Sequence, residues 1–104
     1  MPTREDIRAV APALEKYATG VVLNDLWERP GLGRRDRSIV TLAALIARNQ
    51  TIELPYYLGL ALDSGVKASE ISEIITHLAF YSGWPTAFSA ANRALTLFSK
   101  KETP

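Results

Sequence analysis

The chain carries one histidine, His77, and no cysteine. Any chemistry it performs is therefore built without a thiol and with a single imidazole, alongside carboxylates, phenols, guanidinium groups, amines and hydroxyls. An imidazole exchanges protons near neutral pH. Helical spacing sets Glu73 four residues before His77 and Tyr81 four after, so the three share one stripe. That stripe suits proton transfer, and it equally suits a boundary histidine bonded to a neighbour. Glu53 opens a helix, followed by Leu54, Pro55, Tyr56 and Tyr57. It either complements the positive end of the helix dipole or acts as an acid–base group, with the Tyr56 and Tyr57 phenols within reach at i+3 and i+4. Arg37 stands three residues into an otherwise apolar helix. It caps a core, pairs with a carboxylate, or grips a substrate carboxylate with its two-pronged donor geometry.

Composition removes several classes of function. Without cysteine there are no disulfides, no thiolate catalysis and no cysteine-held metal or cluster. One histidine cannot supply a paired-histidine metal motif, and no glycine-rich phosphate loop occurs. Lys and Arg total 12 against 11 for Asp and Glu, which gives no electrostatic case for a nucleic-acid partner. The local cluster Arg29, Arg34, Arg35 and Arg37 is interleaved with Glu28 and Asp36. No apolar run approaches the roughly 20 residues of a membrane span, and the N-terminus has no apolar signal region. A cytoplasmic address is the expectation.

The elements that must position these groups read as helices throughout. Thr3 and Asp6 suggest a capping box, followed by Ile7, Val10, Ala11, Leu14 and Ala18 at helical spacing. Gly20 is expected to end that helix, and a short one to cover residues 22–28. Pro30, Gly31 and Gly33 make a break. From Arg34 the helix bearing Ile39, Val40, Leu42, Ala43, Leu45 and Ile46 is expected to be buried on most sides. The next helix starts at Pro55, with Leu54, Leu58, Ala61 and Leu62 as its apolar face, and Gly65 suits a left-handed C-cap. Ile71, Ile74, Ile75, Leu78 and Ala79 define the helix that carries His77. The last helix runs from Pro85 to about Lys100, with Phe88, Ala91, Leu95 and Phe98 as its expected apolar face and a frayed tail after it. No stretch alternates with a period of two, so the chain is expected to be all-α, one domain over residues 1–104.

Two ordered stretches together carry a resemblance. The first is Trp27-Glu28-Arg29-Pro30-Gly31-Leu32 with Arg35-Asp36-Arg37-Ser38-Ile39-Val40-Thr41-Leu42-Ala43. The second runs from Glu53-Leu54-Pro55 through Leu60-Ala61-Leu62-Asp63-Ser64-Gly65-Val66 to His77-Leu78-Ala79-Phe80-Tyr81-Ser82-Gly83-Trp84-Pro85. They resemble the carboxymuconolactone decarboxylase family, over about three quarters of the chain. The resemblance implies an all-α fold of the alkylhydroperoxidase-D-like type, a homotrimer or homohexamer, and a site near subunit contacts. It implies a cofactor-free decarboxylation of a small carboxylate, with no metal. The thiol-peroxidase branch needs a Cys-x-x-Cys pair, and here that stretch reads Glu53-Leu54-Pro55-Tyr56. On this resemblance Glu53 and His77 are the proton-transfer pair, Tyr57 orients or polarises the substrate, and Arg37 with Arg29 binds its carboxylate. Tyr57 stands where the decarboxylase pattern has a histidine, and a phenol is a poor proton shuttle at neutral pH. A ligand-binding oligomer that has kept the fold without the reaction is the alternative.

Overall fold

The computed structural model describes residues 4–102, with side chains from residue 6 to 98. Six α-helices are present among them, with no strand: α1 (Arg4–Val10), α2 (Pro12–Tyr17), α3 (Arg34–Ala47), α4 (Leu54–Asp63), α5 (Ala68–Ser82) and α6 (Trp84–Glu102). Between α2 and α3 lie a π-helical segment, Ala18–Leu23, and a 3-10 turn, Leu26–Glu28. The chain divides into two units between Arg34 and Arg35.

In the first unit the expected long opening helix is two helices. Pro12 sits in the first turn of α2, where its missing N–H costs nothing but stops α1 from continuing. Gly20 does not end the second helix; it lies inside the π-helical segment. A buried carboxylate ties these pieces together. Glu15 has its side chain only 10% exposed and accepts hydrogen bonds from Arg8 Nε at 3.2 Å and Thr19 Oγ1 at 2.9 Å. A buried charge needs such partners. Trp27 is buried in the 3-10 turn. The expected capping residue Thr3 lies outside the described residues.

The second unit holds an apolar core built from all four of its helices. Leu42 and Ile46 of α3, Leu54, Leu58 and Ala61 of α4, Ile71 and Ile75 of α5, and Ala87, Ala90 and Ala94 of α6 form it, with Val66 from the α4–α5 turn. Among the described residues three turns use positive φ: at Asn49 (φ 57°) after α3, at Gly65 after α4 and at Gly83 after α5. Gly65 (φ 100°) follows α4, where the Val66 N–H reaches the Ala61 carbonyl at 2.9 Å and the Gly65 N–H that of Leu62 at 3.2 Å, a Schellman ending. Gly83 takes φ 107° and ψ 150° between α5 and α6, a region open essentially to glycine alone.

Two expectations about faces are corrected. In α6 the residues that enter the core are Ala87, Ala90 and Ala94, while Phe88 and Leu95 are 59% and 65% exposed. Small side chains let α6 approach its neighbours closely; Phe88 and Leu95 face outward, while Leu97 and Phe98 of the last turns pack against the core. In α3, Leu42 and Ile46 are buried but Val40 is 60% exposed, so this helix is covered on one side and not on most.

Candidate active site

His77 lies on the flank of α5 and is exposed. Tyr81, one turn later, lies against the imidazole with ring centroids 4.9 Å apart and planes tilted by 31°. An open cleft of about 340 Å³ runs between α3 and α5 at this point, lined by Ile39, Ala43, Glu73, Ile74, His77 and Leu78. Its floor is apolar, and its two polar groups stand one helical turn apart on the same stripe. Among the described residues no hydrogen bond or ion pair engages the Glu73 carboxylate or the His77 ring nitrogens.

One turn before Ile39 and Ile74, Arg35 of α3 donates to Glu70 of α5. Glu70 also accepts the Lys67 backbone N–H at 2.9 Å. That backbone hydrogen bond, then the Arg35 guanidinium, holds the Glu70 carboxyl below its ordinary range. The pair links the N-terminal ends of α3 and α5, one turn from the cleft between them.

The other expected site residues lie elsewhere in the fold. Glu53 is the N-cap residue of α4; it is exposed and makes no side-chain capping bond. Tyr57 is half-buried on the same helix, packs against the core, and meets the Tyr56 ring edge-on at 5.1 Å. Neither Glu53 nor Tyr57 lines the His77 cleft. Arg37 precedes Ile39 by two residues, about 200° around the helix, so its backbone position faces away from that cleft. Its carbonyl accepts the Thr41 hydroxyl at 2.8 Å. Arg29 is exposed and belongs to the first unit, after the 3-10 turn. Within one chain, then, Glu53 and Tyr57 share α4, His77 lines a cleft with Glu73, and Arg37 stands on the opposite side of α3. Glu73 carries a sequence signal, its i−4 spacing from His77, but only the packing of α3 against α5 makes that stripe one wall of a cleft.

A second groove, about 270 Å³, lies between α5 and α6. Its lining includes Ser72, Thr76, Leu95 and Phe98 and has no acidic, basic or phenolic group, so it offers no proton-transfer chemistry. Among the described residues no three carboxylates or imidazoles gather as a metal site would require, and no helix is long and apolar enough to cross a membrane.

A model of the carboxymuconolactone decarboxylase family matches residues 12–96. The chain is 38% identical over 85 residues to a 4-carboxymuconolactone decarboxylase of Acinetobacter baylyi, a match covering 82% of this chain and 60% of that protein. It is 36% identical over 77 residues to a nitrosuccinic acid decarboxylase of Metarhizium robertsii, covering 74% of this chain and 51% of that protein. The match thus spans only a little over half the length of each of these relatives.

Proposed function

The chain belongs to the carboxymuconolactone decarboxylase family, and from that premise we propose that it is a carboxy-lyase acting on a small carboxylated lactone or keto acid without a cofactor. The observation that carries this reading is the position of its one imidazole: His77 lines an apolar cleft and has a face available to a ligand. In the reaction the bond between the carboxylate carbon and its neighbour breaks. Carbon dioxide leaves, and the electron pair moves onto an adjacent carbonyl as an enolate. His77, protonated, delivers a proton to carbon and is recharged from water through Glu53. The Tyr57 hydroxyl donates a hydrogen bond to the enolate oxygen. Arg37, with Arg29, holds the substrate carboxylate.

Because Glu53, Tyr57 and Arg37 stand apart from the His77 cleft of their own chain, this reading makes the site a shared one, completed when copies associate as a homotrimer or homohexamer. The outward apolar side chains Phe80, Trp84, Phe88 and Leu95 support association, since a soluble chain rarely leaves such a stripe uncovered.

Carbon dioxide release from 4-carboxymuconolactone and a panel of related lactone and keto acids tests the reading. His77→Ala and Glu53→Gln are each expected to lower turnover by about 100-fold or more. Release at the buffer rate across the panel refutes the reaction, and full activity in both variants refutes the residue roles. Tyr57 in the histidine position favours a second reading, a ligand-binding oligomer without the reaction. Thermal stabilisation by acids that are never turned over would select it.

A further inference from the structure

We propose that the outer face of α6 binds the same face of a second copy about a two-fold axis, the two helices antiparallel, with the aromatic end of each face seated on the groove end of the other. Trp84, Phe88, Ala91 and Leu95 lie within about 60° of one another around α6, and all four are exposed. Phe80, at the end of α5, extends the stripe. Its ring centroid lies 6.0 Å from that of Trp84, which lies 5.8 Å from that of Phe88. At the other end Ala91 and Leu95 line the groove of about 270 Å³ between α5 and α6. The face thus has a bulky end and a hollow end, with Trp84 and Leu95 about 16 Å apart along the helix.

Area, charge and register select a second copy as the occupant. Phe80, Trp84 and Phe88 are each more than half exposed, so the three rings offer roughly 400 Å². Two copies withdraw about 800 Å² through their rings alone, and Leu95 with the groove carries the total past the ~1,000 Å² of a specific contact. Between residues 84 and 98 the one charged residue is Arg93, which stands two positions, about 200° of helix, from both Ala91 and Leu95. The groove lining contributed by α5, Ser72, Ile75 and Thr76, is uncharged as well. A charge near a two-fold axis meets its own kind, so an uncharged face suits self-pairing. A strongly acidic or basic partner would find no counter-charge here. Residues 84 and 95, and residues 88 and 91, lie equally far from the middle of the stripe. One two-fold axis through that point sets Trp84 against the partner's Leu95 and Phe88 against the partner's Ala91, rings over the hollow at both ends. Parallel helices would press ring against ring and leave both grooves open.

The inference deepens the homo-oligomer of the proposed function and does not depend on the reaction. A two-fold contact builds even-numbered assemblies, so of the homotrimer and the homohexamer it admits the second. Sedimentation velocity on the full chain tests it, with far-ultraviolet circular dichroism as the folding control. Ala91 is exposed on a helix, so Glu and Lys are both tolerated there by the fold. Ala91→Glu and Ala91→Lys each place like charges across the axis, and each is expected to halve the sedimenting mass and to weaken the contact about a hundredfold. An equimolar mixture of the two variants is expected to restore the full mass, because opposite charges then face one another. An unaltered chain that stays a single molecule or forms a trimer, an unchanged mass in both variants, or a mixture that stays at half mass would overturn the proposal. An assembly that halves and recovers in this way yet releases no carbon dioxide from any acid refutes the carboxy-lyase reading alone.

Discussion

Phe80→Ser separates the outward aromatic stripe from the core. Phe80 is 76% exposed and meets Trp84 edge-on, with centroids 6.0 Å apart. A phenylalanine presents on the order of 200 Å², so roughly 150 Å² of it faces solvent. Fully covered by a second copy, that surface is worth up to about 4 kcal/mol at ~25 cal/mol per Å². Ordering of side chains and loss of rigid-body freedom consume part of it, leaving about 1–3 kcal/mol per contact, or about fivefold to 150-fold in dissociation constant. Sedimentation velocity over a range of concentrations reads this directly, with far-ultraviolet circular dichroism as the control for folding. On the proposed homo-oligomer, Phe80→Ser is expected to favour dissociation at concentrations where the unaltered chain would hold together, with helix content unchanged. Ala90→Leu is the counterpart. Ala90 is fully buried, so the added bulk overpacks the core and lowers folding stability by about 1–3 kcal/mol. A sedimentation profile identical to that of the unaltered chain at every concentration, or a monomer in both, would refute the account of this face.

Three further outcomes follow from the packing and the turns. Leu58→Ala, at a fully buried core position, is expected to cost about 3–5 kcal/mol by cavity formation, read as a lowered denaturant midpoint with unchanged slope. Gly83→Ala forces an L-residue into φ 107°, ψ 150°, and a loss of about 1–3 kcal/mol in thermal unfolding is expected; a neutral result would mean the α5–α6 turn can rearrange. Glu70 has its carboxyl held below the ordinary value of 4.5. Its contribution is therefore complete above that value and is lost as pH falls through the lower folded-state value. Glu70→Gln should flatten the acid limb of the stability–pH curve below about 4.5 and leave its slope near neutrality alone.

How much of this was legible in the residues depends on the kind of signal. The helical class follows from apolar spacing near 3.6 and the absence of alternation, and α5 shows it most clearly, since Ile71 and Ile75 are both spaced for burial and buried. Gly65 marks its turn because no other residue enters left-handed backbone so cheaply. The family was legible in two ordered stretches, and the absence of cysteine closes thiol chemistry to this chain whatever its shape. Periodicity failed where two faces of one helix were both apolar. In α6 the aromatic face Phe88–Leu95 and the alanine face Ala87–Ala90–Ala94 compete. Hydrophobicity favours the first, but close packing of α6 against the helices around it selects the second.

The imidazole itself shows the same division. Sequence alone determines that His77 is the only group of its kind and that Glu73 and Tyr81 share its stripe. Tertiary structure decides that Ile39 and Ala43 of α3 face that stripe across a cleft, with Arg35 and Glu70 holding the two helices one turn away. It also decides that Arg37, two residues from Ile39, faces the other way. The reason is geometric. Spacing along a helix fixes which side chains point together, but which neighbouring helix they meet depends on contacts between residues distant in the chain.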